Sequence, residues 1–182
     1  VTCVVWGTTW VASKIGVSEI PALQMASIRQ LLGGLCFVLF FMVYKKLPLP
    51  TAKQFRWIAI MAVLMFVFAN GLSTYSLKYI PTGLIGICLS VFAMLCWSVG
   101  TIFLSRNKAN INAYYGTGWQ MLVSSAILFI MAKLTQPTVA LSAISVTGWL
   151  AIAYLVFFGS IITFVSFIYG CYLSLHLNEL IL

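Results

Sequence analysis

Long stretches of this chain carry no charge at all: residues 30–44, 57–77, 79–105, 109–132 and 134–178. Their lengths decide the solvent. A helix needs roughly 20 apolar residues to cross the hydrocarbon core of a bilayer, and a water-soluble domain carries about a quarter charged residues. Here 63% of residues are hydrophobic and 7% are charged, so a soluble fold has nowhere to hide the apolar surface. The last stretch is long enough for a loop and a span, and it breaks at Thr135-Gln136-Pro137-Thr138, because proline and small polar residues end helices. Six spans follow, over residues 1–17, 22–44, 55–77, 82–104, 115–132 and 149–175. Segments such as 58–69 do not alternate in polarity as barrel strands must, so helices satisfy the backbone. The expected fold is an all-α, polytopic membrane helix bundle.

Orientation follows from lysine and arginine, which are enriched in cytoplasmic loops. Lys45, Lys46, Lys53 and Arg56 follow the second span and Arg106 and Lys108 the fourth, six of the ten cations. Lys14, Arg29, Lys78 and Lys133 are scattered singly on the other side. This bias places the first residue on the inner, cytoplasmic side of a cell membrane, the inner membrane in a bacterium. The net charge of +8 is thereby explained by topology and anionic headgroups, and no basic stripe or stacking platform points to nucleic acid. The opening segment lacks a cationic start and a small-residue cleavage site, so it reads as a span clipped at its start rather than a signal peptide. Five cysteines, Cys3, Cys36, Cys88, Cys96 and Cys171, lie inside expected spans as soft hydrophobes, without metal-ligand or CxxC spacing. His176 stands at the end of the last span near Asn178 and Glu179.

A weak internal repeat carries more information. Trp6-Gly7-Thr8 followed by Ser13-Lys14 is echoed by Trp97-Ser98-Val99-Gly100-Thr101 followed by Ser105-Arg106. Gln24-Met25 matches Gln120-Met121, and Trp57-Ile58-Ala59-Ile60 matches Trp149-Leu150-Ala151-Ile152. Three echoes in order at nearly constant offset define two repeats, 1–84 and 85–182, each of three spans. Because three is odd, the second repeat enters from the opposite side and the halves are inverted. Inverted halves can exchange conformations around a shared midplane site, which is the geometry of alternating access.

Intramembrane polar residues are the candidates for that site, because a charge at the bilayer centre costs from ~3 kcal/mol upward. Arg29 lies about 10 Å into the second span at 1.5 Å per residue and can bind a solute carboxylate or carbonyl, or else snorkel to the headgroups. Asn70 lies beside Gly71 deep in the third span, where an amide can orient solute or bond a neighbouring helix. Trp119 and Gln120 open the fifth span, where tryptophan is an interface anchor or a cavity wall. Tyr75 and Tyr154, with Trp6, Trp10 and Trp97, are available to line a cavity for a flat or apolar solute. Gly7, Gly100 and Gly159 allow close approach or bending, and Lys14 is placed to meet Glu19 across a short turn. No phosphate-binding Gly-rich loop, nucleophile triad or paired intramembrane carboxylates occurs, so neither ATP-driven transport nor an intramembrane enzyme is supported, and no cofactor is implied.

Trp6-Gly7 with Lys14, then Arg29, then Tyr75-Ser76-Leu77-Lys78-Tyr79-Ile80-Pro81-Thr82-Gly83-Leu84 resembles the first half of EamA-type carriers of the drug/metabolite transporter superfamily. Cys96-Trp97-Ser98-Val99-Gly100-Thr101 and Tyr154-Leu155 with Gly159-Ser160 resemble its second half. The resemblance implies a ten-helix carrier of small metabolites built from two inverted five-helix repeats. This chain departs from that pattern. Ile85-Gly86-Ile87-Cys88 leads straight into the Trp97 helix where the family has two further spans, and after Tyr169-Gly170-Cys171-Tyr172-Leu173 two more are expected. Loss of an even number between the halves leaves every remaining helix in its original orientation. The resulting expectation is a transporter of amino-acid-like or other small organic solutes, with Arg29, Asn70, Tyr75, Trp119, Gln120 and Tyr154 at its cavity. No carboxylate sits in any span to relay protons, so coupling falls to other helices, to His176 or to no ion. The alternative is a structural or assembly subunit, or a non-transporting fragment, whose helices complete a larger bundle or pair with a second copy.

Overall fold

The computed structural model describes residues 2–76, 84–106 and 112–170. These residues form six helices: α1 (Thr2–Glu19), α2 (Ala22–Tyr44), α3 (Ala52–Ser76), α4 (Leu84–Arg106), α5 (Ala113–Thr135) and α6 (Val146–Gly170), with a 3₁₀ turn at Leu141–Ala143 before α6. Helices α2, α3, α5 and α6 are long and apolar enough to cross a bilayer, and α4 holds a shorter apolar stretch, Ile87–Ile102. Of the six expected spans, four therefore meet the length and composition of a crossing helix among the described residues. Helix α1 is 18 residues long but carries Lys14, Glu19 and several hydroxyls. Leu84 and Ile85 lie in one helix. His176, Asn178, Glu179, Lys78 and Lys108 lie outside the described residues.

Three helices begin earlier than hydropathy alone indicates, and capping explains each. Thr51 caps α3 in a reciprocal box with Gln54, Asn112 Oδ1 accepts from the amides of Tyr114 and Tyr115, and Ser145 Oγ accepts from the Gly148 amide at 3.1 Å. Each cap satisfies orphan N–H groups of a first turn. Polar residues such as Lys53 and Gln54 therefore belong to the helix although they lie outside the apolar run.

Helix α2 is the central element. Its residues Leu23, Ser27, Gln30, Gly34 and Phe37, at three- and four-residue spacing, are all buried and make a stripe facing α5. Leu23 N–H donates to Gln136 Oε1 at 3.3 Å, and Phe41 stacks on Tyr114 at 6.0 Å, so α2 and α5 run antiparallel. Between these ends, Ser27 Oγ donates to Ser125 O and Ser125 Oγ donates to Ser27 O, both at 3.0 Å. This reciprocal pair marks the crossing. Small residues allow close approach there, as in membrane helix pairs generally.

The remaining directions follow from contacts. Helix α1 lies antiparallel on α6, with Glu19 held by Ser145 Oγ at one end and Thr8 Oγ1 2.9 Å from Tyr154 Oη towards the other. Helix α4 lies antiparallel on α3, through Ser76 with Ser90 at 3.1 Å and Phe68 with Phe92 at 6.4 Å. Helices α3 and α5 are parallel, through Phe55 with Trp119 and Val67 with Leu128. Helices α2 and α6 are parallel as well, through Met25 with Ile152 and Arg29 with Gly159. Directions thus alternate along the chain. Each pair matched by the sequence repeat, α1 with α4, α2 with α5 and α3 with α6, runs in opposite senses. The first helix of each trio packs on the third helix of the other, the arrangement a pseudo-twofold axis requires.

Candidate functional site

Both third helices widen. Residues Ala62–Gly71 of α3 and Leu155–Ile162 of α6 are wound as π-helix, with bonds from i to i+5. Such stretches are rare and concentrate at functional sites. Shifted by the spacing from Trp57 to Trp149, the first stretch falls almost on the second. The same device closes both: Asn70 Nδ2 donates to Met65 O at 3.3 Å, and Thr163 Oγ1 donates to Phe158 O at 2.6 Å, each to the carbonyl five residues back.

Neighbouring residues of α2 serve both stretches. Gln30 Nε2 donates to Phe66 O in α3 at 3.3 Å, and its Oε1 accepts from Ser124 Oγ of α5. Arg29 Nη2 donates to Gly159 O at 2.9 Å, and its Nε donates to Ser160 Oγ at 3.2 Å. The Thr163 N–H reaches back to Phe158 O, and the change from five-residue to four-residue steps leaves a carbonyl over in this turn. Arg29 donates into that turn. Its guanidinium is therefore held inside the bundle by α6 and does not snorkel to the headgroups.

Arg29 also lines a cavity of about 130 Å³ walled by α1, α2, α3 and α4. The polar lining is Thr9, Ser13, Arg29, Asn70, Ser73 and Thr74, and Trp10, Ala69, Ala93, Met94 and Trp97 complete it. The cavity occupies the half of the bundle nearer the α1–α2 turn. A cluster of Phe37, Met61, Met65, Phe66, Met121 and Phe164 fills the other half. Trp97 joins the two, with its ring 6.0 Å from Phe164 and 5.9 Å from Phe167.

Of the six residues the sequence singled out, the structure brings Arg29 and Asn70 together in this cavity. Asn70 turns its amide nitrogen to its own helix rather than to a neighbouring one. Tyr75 packs instead against the Leu23, Val67 and Leu128 cluster. Trp119 stands edge-on to Phe55 and Tyr115 towards the start of α5, with its Nε1 buried and without an acceptor among the described residues. Gln120 is buried on α5 outside the cavity. Tyr154 stacks on Phe158 at 4.7 Å and shares a hydrogen bond with Thr8, closing the α1–α6 contact. Of the aromatics, Trp10 and Trp97 reach the cavity, and the Trp6 side chain lies outside the described residues. Gly100 and Gly159 allow close approach: a Cβ at Gly100 would run into Met65 Cγ and one at Gly159 would lie 3.1 Å from Arg29 Nη2, whereas Gly7 has nothing within 4 Å. Glu19 accepts from Ser145 at the start of α6, where the helix N-terminus favours an anion.

Sequence reasoning missed Thr9, Ser13, Ser73 and Thr74 in the lining, together with Gln30, Ser124, Ser160 and Thr163 behind it. Their spacing carried a signal: Thr9 and Ser13, and Asn70, Ser73 and Thr74, recur at three- and four-residue intervals and share helix faces.

The EamA-like transporter family matches the chain twice, over residues 1–87 and 84–174. The uncharacterized transporter YoaV of Bacillus subtilis is 28% identical over 130 residues, 71% of this chain and 43% of its own length. The uncharacterized inner membrane transporter YedA of Escherichia coli K12 is 22% identical over 219 aligned positions, covering 91% of this chain and 70% of its own. Those positions outnumber the 182 residues of the chain, so YedA carries internal residues without a counterpart here. The uncharacterized transporter YvbV of Bacillus subtilis is 22% identical over 73% of this chain and 61% of its own length. The chain thus spans less than half the length of YoaV and about two thirds that of the others. No solved structure matches it. With both halves matched, and apolar helices running through a bundle of alternating direction, this multi-pass membrane protein belongs to the EamA-like transporter family.

Proposed function

We propose that the protein carries a small polar organic solute across a cell membrane by alternating access between its two inverted trios of helices. The observation that supports this best is the polar cavity around Arg29 and Asn70, which occupies one half of the bundle while the Phe and Met cluster fills the other. A carrier needs a site exposed to one side at a time, and a bundle with opposed halves can move the seal from one end to the other. The paired π stretches flank the cavity and give each third helix a turn whose backbone bonds can be exchanged. Arg29 and Asn70 bind solute in this scheme. The basic end, with Lys45, Lys46, Lys53 and Arg56, faces the cytoplasm.

The test is flux through liposomes reconstituted with the full chain, loaded with labelled amino acids, nucleobases, sugar phosphates and small organic acids. Saturable exchange of one class, lost in Asn70→Ala while the protein still inserts, is the expected outcome. Intact reconstitution without exchange of any class would leave the helices as part of a larger assembly.

A further inference from the structure

The cavity states more about its ligand than polarity, because every charge facing it has the same sign. Arg29 supplies a guanidinium, and the rest of the lining is hydroxyl, amide, aromatic or aliphatic. The whole chain holds two acidic residues, Glu19 and Glu179. Glu19, at the C-terminal end of α1, is outside the lining and engaged with Ser145, and Glu179 lies outside the described residues. Arg29 is not consumed by its own contacts. Nε and one Nη2 hydrogen go to Ser160 and Gly159, and of the five donors of a guanidinium three have no partner among the described residues, including both on Nη1. Held by α6 on one edge, the group is oriented before a ligand arrives, so little rotamer freedom is lost on binding. The hydroxyls of Ser13 and Ser73 add donors and acceptors around it, Thr74, whose hydroxyl donates to Asn70 O at 2.8 Å, adds an acceptor, and Trp10 and Trp97 supply an apolar wall.

Size narrows the class further. An engineered closed cavity of ~150 Å³ holds benzene, and this one, about 130 Å³ and open on one side, has room around Arg29 for a small organic acid. We infer that the site takes a small organic monocarboxylate bearing a hydroxyl or oxo group, and selects against a ligand of the same size that carries an ammonium group. The carboxylate sits on the free edge of Arg29, and the hydroxyl or oxo group meets the Asn70 amide or a neighbouring hydroxyl. An ammonium would share the cavity with a like charge and find no carboxylate partner among the described residues. This rests on the reading that the cavity is the solute site.

Lactate, alanine and lactamide are close in size and differ in charge, which makes them the probes. Ligand-dependent thermal stabilisation of the purified full chain reports binding independently of transport. Lactate is expected to bind about tenfold more tightly than lactamide or alanine, equivalent to roughly 1.4 kcal/mol. Because Arg29→Gln also removes the bonds to Gly159 and Ser160 and can unfold the bundle, the comparison is made first on the unmodified chain. It is then repeated in Arg29→Lys, which keeps the charge and is expected to retain a preference for lactate over lactamide. Alanine or lactamide binding as well as lactate would overturn the inference, and so would equal stabilisation by chloride, which would leave a simple anion site. Lactate binding without lactate flux from liposomes would keep the ligand class and remove the transport reading. Flux of alanine or lactamide with no lactate preference would keep transport and remove the ligand class.

Discussion

A Cβ placed on Gly34 would stand 2.9 Å from the carbonyl oxygen of Gly118. That oxygen belongs to the backbone of a packed helix, so it cannot rotate aside as a side chain would. Gly34→Ala must therefore push α2 and α5 apart at Gly118, about two turns from the Ser27–Ser125 pair. The expected cost is about 1–3 kcal/mol, the usual range for overpacking, measured as earlier unfolding in detergent. Gly7→Ala, with open space around it, is expected to change stability by less than about 0.5 kcal/mol. Arg29 and Asn70 were legible in the sequence because a cation and an amide are conspicuous in an apolar span. Ser27, Ser124 and Ser125 were not, because a serine in a membrane helix can bond its own preceding turn and signals nothing alone. Their meaning lies in the partner across the interface, as when Ser124 Oγ reaches Gln30.

The two π stretches are the elements on which the site depends, and one side chain secures the end of each. Thr163→Val removes the hydroxyl that donates to Phe158 O at nearly constant volume, in a residue that is fully buried. The expected loss is about 1 kcal/mol, that of one hydrogen bond. Amide hydrogen exchange should accelerate over residues 155–163 and stay unchanged in α2 and α5, which place the effect in the turn rather than in the bundle. Equal acceleration in all the helices would show that Thr163 supports global packing and not the widened turn. Hydropathy located these helices, and the break at residues 135–138 is where α5 ends. It could not see the π winding, since a change from four-residue to five-residue steps leaves composition unaltered. It also placed the starts of α3, α5 and α6 a few residues late, because an apolar run ignores the polar residues that a cap draws into the first turn.

At the scale of the whole molecule, the spacing of Trp6, Trp57, Trp97 and Trp149 made the repeat readable, while the packing partners of each trio were not, because helix order along a chain does not specify which faces meet. The structure puts the α2–α3 connection and the start of α5 at one end, where Tyr115 Oη donates to Pro48 O at 3.3 Å. The α1–α2 turn and the α5–α6 connection lie at the other, where the Gln24 side chain bonds both backbone groups of Val139, at 2.6 and 2.9 Å. The first of these ends carries Lys45, Lys46, Lys53 and Arg56, all exposed. Membrane insertion keeps such loops in the cytoplasm, which predicts opposite accessibility for two exposed leucines, Leu49 in the first end and Leu141 in the second. With the native cysteines replaced by serine, Leu141→Cys should react with a membrane-impermeant maleimide on intact cells, and Leu49→Cys only after permeabilisation. With Arg29 held inside the bundle, changing Lys45, Lys46, Lys53 and Arg56 together to glutamine leaves Arg106 and Lys108, placed on that side by the sequence, against Lys14, Lys78 and Lys133 on the other. The bias is then reversed, so Leu49→Cys should become reactive from outside in a substantial share of molecules. Unchanged labelling after that substitution would mean that the cations at this end do not set the orientation, and that the direction of insertion is fixed by the apolar helices themselves.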